Sequence, residues 1–200
     1  MQRTVQELNG EPWLELDEAA PIAKQVMSSR SVGHRVESLQ ELREAVRYHA
    51  ANAAQRLRKQ GLFASAVSVF IQNSPFDQAE FYGRTETIAL PAPTECSLKI
   101  TNSALWLLKK MYQPEVYYQK AGVMLSELVP EEGQQTDLLG FSSASNKSSR
   151  LMEAVDHINT KYQRSAIHLA SEGVDRTWSM RRSFKSPNYT GDWNELPVVR

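Results

Sequence analysis

The sequence predicts an α+β fold: a four-stranded antiparallel sheet with two helices on one face, then a small C-terminal α+β module on a flexible linker. Three observations predict it. Stretches at 29–36, 63–71, 82–90 and 117–128 alternate aliphatic with small or polar residues, the two-residue period of a half-covered strand. Two longer stretches repeat apolar residues every three or four positions, the helical period. Their order is strand, helix, strand, strand, helix, strand, which sets both helices on one side and leaves the other sheet face open.

The chain opens with Val5 and Leu8 at helical spacing, stopped by Asn9-Gly10, and a linker runs from Glu11 to Pro21. A helix so short at the first residue reads as the end of an element that extends upstream. Ser29–Val36 is the first strand, with Gly33 near its centre. Ser38-Leu39-Gln40-Glu41 then has the form of a capping box, in which hydroxyl and carboxylate satisfy each other's backbone amides. The helix that follows carries Leu39, Leu42, Val46, His49, Ala50, Ala53 and Leu57 on one face, and Gly61 ends it. Its other face holds Arg43, Arg47, Arg56, Arg58 and Lys59 and reads as a solvated surface.

Phe63–Ile71 is the second strand, broken by Asn73-Ser74-Pro75. Tyr82–Leu90 is the third, ended by Pro91 and Pro93. Thr94 is placed to cap a second helix with Leu98, Leu105, Leu108 and Met111 on its apolar face, stopped by Pro114. Tyr117–Leu128 is the fourth strand, with Gly122 inside it. Gly33 and Gly122 suggest places where another backbone approaches closely.

Residues 129–148 are polar and rich in Ser and read as a tether. One apolar island interrupts it, Gln135-Thr136-Asp137-Leu138-Leu139-Gly140-Phe141, which has the form of a docking peptide. Beyond it, Leu151, Met152, Val155, Ile158 and Tyr162 mark a short amphipathic helix, and Ser165–Ala170 reads as a strand. Trp178, Tyr189 and Trp193 are expected to pack locally as a minimal aromatic core, with a partner-binding surface as the alternative.

The formal net charge of +0 conceals an uneven distribution, because residues 28–128 hold twelve Lys and Arg against nine Asp and Glu. An excess this small supports only weak, salt-sensitive binding to nucleic acid. The single cysteine, Cys96, excludes an internal disulfide and any multi-cysteine metal site. No apolar run has the length of a membrane span, no signal-peptide pattern opens the chain, and the expected location is cytoplasmic. Phosphate-binding glycine loops, nucleophile elbows and zinc-protease motifs are missing from the sequence. No paired carboxylates suit two-metal chemistry, and the four histidines stand apart. The chain reads as non-catalytic, with no cofactor of its own.

Four blocks carry a resemblance: Ser29-Arg30-Ser31-Val32-Gly33, Ile71-Gln72-Asn73-Ser74-Pro75-Phe76, Phe81-Tyr82-Gly83 and Tyr118-Gln119-Lys120-Ala121-Gly122-Val123-Met124-Leu125. They resemble the C-terminal part of the UmuC/MucB/ImpB family, the Y-family translesion polymerases of the DNA polymerase V type. The resemblance implies four parts: residues 1–27 as the end of the thumb and its linker, 28–128 as the little finger that grips DNA, 129–148 as a linker with a clamp motif, and 149–200 as a small extra C-terminal domain. Palm and fingers, with the metal carboxylates and the Mg2+ they hold, would lie upstream.

Carried over by the resemblance, the DNA-contacting residues are Arg30, Ser31, Gly33, His34 and Arg35 on the first strand, Arg84 and Thr85 on the third, and Gln119 and Lys120 on the fourth. Gln135, Asp137, Leu138 and Leu139 would dock on the sliding clamp, with Gln135 in a polar subsite and the leucines in an apolar pocket. The implied function is DNA and clamp binding within an error-prone polymerase of the SOS response. The alternative is a protein-interaction module for the clamp, UmuD′ and RecA with little DNA binding of its own.

Overall fold

A computed structural model describes residues 2–10, 23–76, 80–131, 143–162, 166–173, 177–180, 186–189, 191 and 193–196. The predicted linker at 11–21 and the clamp motif at 135–139 lie outside the described residues, as do 77–79 of the sheet domain. The elements run α1 (Gln2–Leu8), β1 (Val26–Val36), α2 (Leu39–Lys59), β2 (Leu62–Gln72), β3 (Gly83–Thr94), α3 (Ser97–Met111), β4 (Tyr118–Pro130) and α4 (Ser143–Lys161). Two single turns of 3-10 helix follow, at Ala170–Glu172 and Trp193–Glu195.

The sheet is antiparallel throughout, in the order β1-β4-β2-β3, with α2 and α3 on one face as expected. Its core joins Leu42, Val46, Ala50 and Leu57 of α2 to Ile100, Ala104, Leu108 and Met111 of α3. Val67, Val69, Ile71, Val123 and Leu125 meet them from the central strands β2 and β4. Each of the larger side chains contributes about 1.5–3 kcal/mol on burial.

Several boundaries differ from the sequence reading. Strand β3 does not end at Pro91 but continues through Pro93 to Thr94. It can do so because β3 is an edge strand, where a missing N–H removes no ladder bond. The prolines also fall where the register with β2 shifts, between the pairs Ala66–Ala89 and Ala64–Thr94. Thr94 does not cap α3. Cys96 occupies that position, and the Thr94 hydroxyl accepts the Cys96 N–H instead. Leu98, expected in the core, is exposed on the outer side of α3.

Ser38 does cap α2, its hydroxyl accepting the Gln40 N–H at 3.2 Å. The other half of the capping box is not formed. Glu41 instead lies 3.6 Å from the His34 ring and accepts a bond from the Thr177 hydroxyl.

The largest departures concern the C-terminal part. The Ser-rich stretch expected to be a tether enters α4 at Ser143. Once Met152 is buried and Asp156 is paired, extending the helix backwards adds one backbone bond per residue at little cost. The strand expected at 165–170 is replaced by irregular chain and a 3-10 turn among the described residues. The Asn159 amide both donates to the Ile167 carbonyl and accepts its N–H, satisfying the groups a neighbouring strand would have used. The module is therefore helical where it is described.

The basic face of α2 is not left to solvent either. Arg58 forms a forked pair with Asp156 of α4 at 2.6 and 3.0 Å and also donates to the Glu95 carbonyl and the Ser97 hydroxyl. Arg47 donates to the Ser171 carbonyl and Arg56 to that of Met27. Trp178 does not pack within its own module but enters the main core beside Tyr48 and His49, almost wholly buried.

Candidate nucleic-acid interface

Alternation along the strands decides which side chains reach the uncovered face of the sheet. Val26, Ser28 and Val32 of β1 point towards the helices; Ser28 bonds His49 of α2. Met27, Ser29 and Ser31 therefore point the other way. The register carries this assignment across the sheet. Ser31 pairs with Lys120, Lys120 with Gln72, and Ser29 with Gly122; Phe70 pairs with both Gly122 and Thr85. Ser68 stands between Met124 and Thr87. The open face is thus built from hydroxyls, one amide, a few apolar side chains and Lys120.

Among the residues implied to touch DNA, Ser31, Thr85 and Lys120 share this face, Ser31 beside Lys120 and Thr85 two strands away on the opposite edge strand. Arg84 does not join them, because it pairs with Ile71 of the core and so faces the helix side. Arg30 pairs with Ala121, another core residue, and takes the same side. Gln119 is exposed next to Lys120, where β4 loses its regular register with β1. His34 leans on Glu41 of α2. Arg35 is exposed in the stretch between Ser31 and Val36, where β1 loses its regular register with β4.

The two glycines have neighbours that the sequence did not show. Gly122 lies beneath the Phe70 ring and beside Ser29, and a Cβ there would overlap both. The close approach expected at Gly122 is therefore made by side chains and not by another backbone. Lys120 sits over the same ring, its ammonium 5.8 Å from the centroid. At Gly33 another backbone does approach closely, and it is the chain's own: Gly33 donates its N–H to the Trp178 carbonyl at 2.8 Å. A Cβ on Gly33 would collide with the Ser179 carbonyl and stand 2.9 Å from the Met180 Cα.

Ser29, Ser68, Gln72 and Thr87 were missed as members of the open face. Their alternation is visible in the sequence, but the strand order that lines them up is not. Among the described residues no group of three or more His, Cys, Asp or Glu side chains could hold a metal ion. No described helix is long and apolar enough to cross a membrane.

Comparison with known proteins places this geometry in context. Residues 23–138 match the model of the impB/mucB/samB family C-terminal domain, and residues 149–199 match a domain described as of unknown function, DUF4113. The chain is 38% identical to Protein UmuC of Salmonella typhimurium over 201 residues, covering all of this chain and 48% of that protein. It is 36% identical to Protein MucB of Escherichia coli and 33% identical to Protein ImpB of Salmonella typhimurium, covering 47% of each. The chain spans about half the length of these relatives.

Proposed function

From the premise that this chain belongs to the impB/mucB/samB family, through its C-terminal domain, we propose that it is the DNA-holding region of an error-prone translesion polymerase, acting in DNA repair. The open sheet face lies along the backbone of primer–template DNA. The observation that carries this reading is the row Ser31, Lys120 and Gln72, with Thr85 on the next strand, along a face that no described helix covers. Hydroxyl and amide donors with one cation suit phosphate and sugar contacts, which fix position without reading sequence. That property suits a grip on damaged templates. Arg35, at the margin of β1, adds charge, and His34 and Gln119 act beside it, while Arg30 and Arg84 face the helix side and the Gly33 N–H is taken by Trp178. The chain itself holds DNA and performs no synthesis.

Gln135, Asp137, Leu138 and Leu139, a short way beyond the end of β4, dock on the sliding clamp, and UmuD′ and RecA are further partners. A reading as a protein-interaction module, with incidental DNA contact, is favoured by one observation: Arg30 and Arg84 share the side of the core residues, which leaves the open face poor in charge.

Fluorescence anisotropy of the full 200-residue chain with a primer–template duplex separates the two. Binding at low salt that falls steeply with added salt, and weakens on Ser31→Asp with Lys120→Ala, is the expected result. No binding at low salt, or none lost in that variant, would favour the interaction module.

A further inference from the structure

A cleft of about 500 Å³ runs between α2, the free edge of β1 and the C-terminal residues of α4 and the 3-10 turn after it. Its two carboxylates are already engaged. Asp156 accepts both arms of Arg58, and Glu172 accepts the Leu169 N–H. The cations are not balanced in the same way. Among the described residues Arg30, Lys59 and Arg56 make no ion pair, and Arg56 spends one N–H on the Met27 carbonyl.

His49 lines the same cleft. Its imidazole pKa is lowered from 6.5 to about 4, first by burial and then by Arg30 and Arg56. Ser29 belongs both to the cleft lining and, by register, to the open sheet face. A strand that leaves that face over the edge of β1 at Ser29 therefore enters the cleft.

We propose that the C-terminal module and α2 together form a phosphodiester site, in which Arg30, Arg56 and Lys59 hold one or two phosphates of a single-stranded nucleic acid continuing from the open face. The site rests on the DNA-holding reading for its ligand and on the docked module for its second wall. It gives the C-terminal module a role in binding, since Asp156 fixes Arg58 and closes the cleft without taking charge from the other three cations.

The test uses the full chain, isotope-labelled for NMR of its backbone amides and of its histidine and arginine side chains, and titrated with tetrathymidylate, a ligand too short to span both surfaces. Saturable shifts of the His49 and Arg56 side-chain signals are expected, retained in Lys120→Ala and lost in Arg30→Gln with Lys59→Gln. Both glutamine positions are exposed, and an unchanged thermal midpoint verifies that the variant folds. With a longer single strand, the same double variant lowers the slope of log affinity against log salt by roughly 1.4, two single-strand phosphate contacts. Shifts confined to Ser31, Thr85 and Lys120 would overturn the cleft site while leaving the open-face reading intact. Equal shifts from inorganic pyrophosphate would overturn the strand as ligand. Loss of duplex binding in Lys120→Ala with Ser31→Asp, with cleft shifts unchanged, separates the two sites in the other direction.

Discussion

Gly33 in β1 gives its backbone N–H to the Trp178 carbonyl, tying an edge strand of the sheet to the C-terminal chain. The bond extends the sheet edge by one link, and the indole behind it fills space beside Tyr48 and His49. An exposed edge is the part of a sheet most open to mispairing, so this contact both covers and stabilises it.

Gly33→Ala is expected to destabilise the chain by about 1–3 kcal/mol, the usual cost of forcing an extra group into a packed site. The clash is with the Ser179 and Met180 backbone, which cannot rotate away. Urea unfolding measures the loss, and faster acrylamide quenching of tryptophan shows whether the C-terminal chain has lifted. An unchanged midpoint with unchanged quenching contradicts the contact.

Trp178→Ala removes a buried aromatic from the core and is expected to cost about 3–5 kcal/mol. The same change in Trp193, which is 89% exposed, is expected to cost under about 0.5 kcal/mol. Parallel denaturation of the two variants checks the contrast. Similar losses would mean that Trp178 is not a core residue.

Asp156→Ala leaves the Arg58 guanidinium, whose side chain is only 9% exposed, without its forked partner. Breaking such a pair from one side costs about 3–5 kcal/mol when buried. The 22% exposure of Asp156 puts the expected value at the lower end. Arg58→Met with Asp156→Leu is expected to recover most of the loss, and a double-mutant cycle measures the coupling.

Gly122→Ala is expected to displace the Phe70 ring and lower stability by about 1–3 kcal/mol. Phe70→Ala in the same chain removes the obstacle, so the double variant is expected to be less destabilised than the two single changes added together. Strict additivity in thermal or urea unfolding contradicts the overlap.

Stability is expected to fall as pH drops from 6.5 towards 4 because His49 is kept neutral in the folded chain. The unfolded chain binds the proton more readily in this window, so it gains free energy on protonation that the folded chain does not. Between pH 7 and pH 5 this amounts to roughly 2 kcal/mol. Burial is the larger cause, with Arg30 and Arg56 adding to it, while Ser28, Tyr48 and Trp178 complete the ring's surroundings. His49→Gln is expected to flatten the urea midpoint across this range. The same slope in wild type and variant assigns the pH dependence to another group.

The sequence by itself determined the sheet domain: four alternating segments, two helices, their order, and the side each helix covers. Periodicity suffices there because burial of one face dictates one register, and a slip by a single residue would turn Val67, Val69 and Ile71 to solvent. It also determined that Ser31 and Lys120 belong to alternating surfaces. Tertiary structure alone decided that these two are neighbours and share a face with Thr85 while Arg30 and Arg84 turn away, because strand order β1-β4-β2-β3 leaves no local trace. It also decided what lies against Gly33 and Gly122, and that the basic face of α2 binds the C-terminal module. Those contacts join residues far apart in the chain, where propensity and spacing are silent and only packing and charge pairing choose the partner.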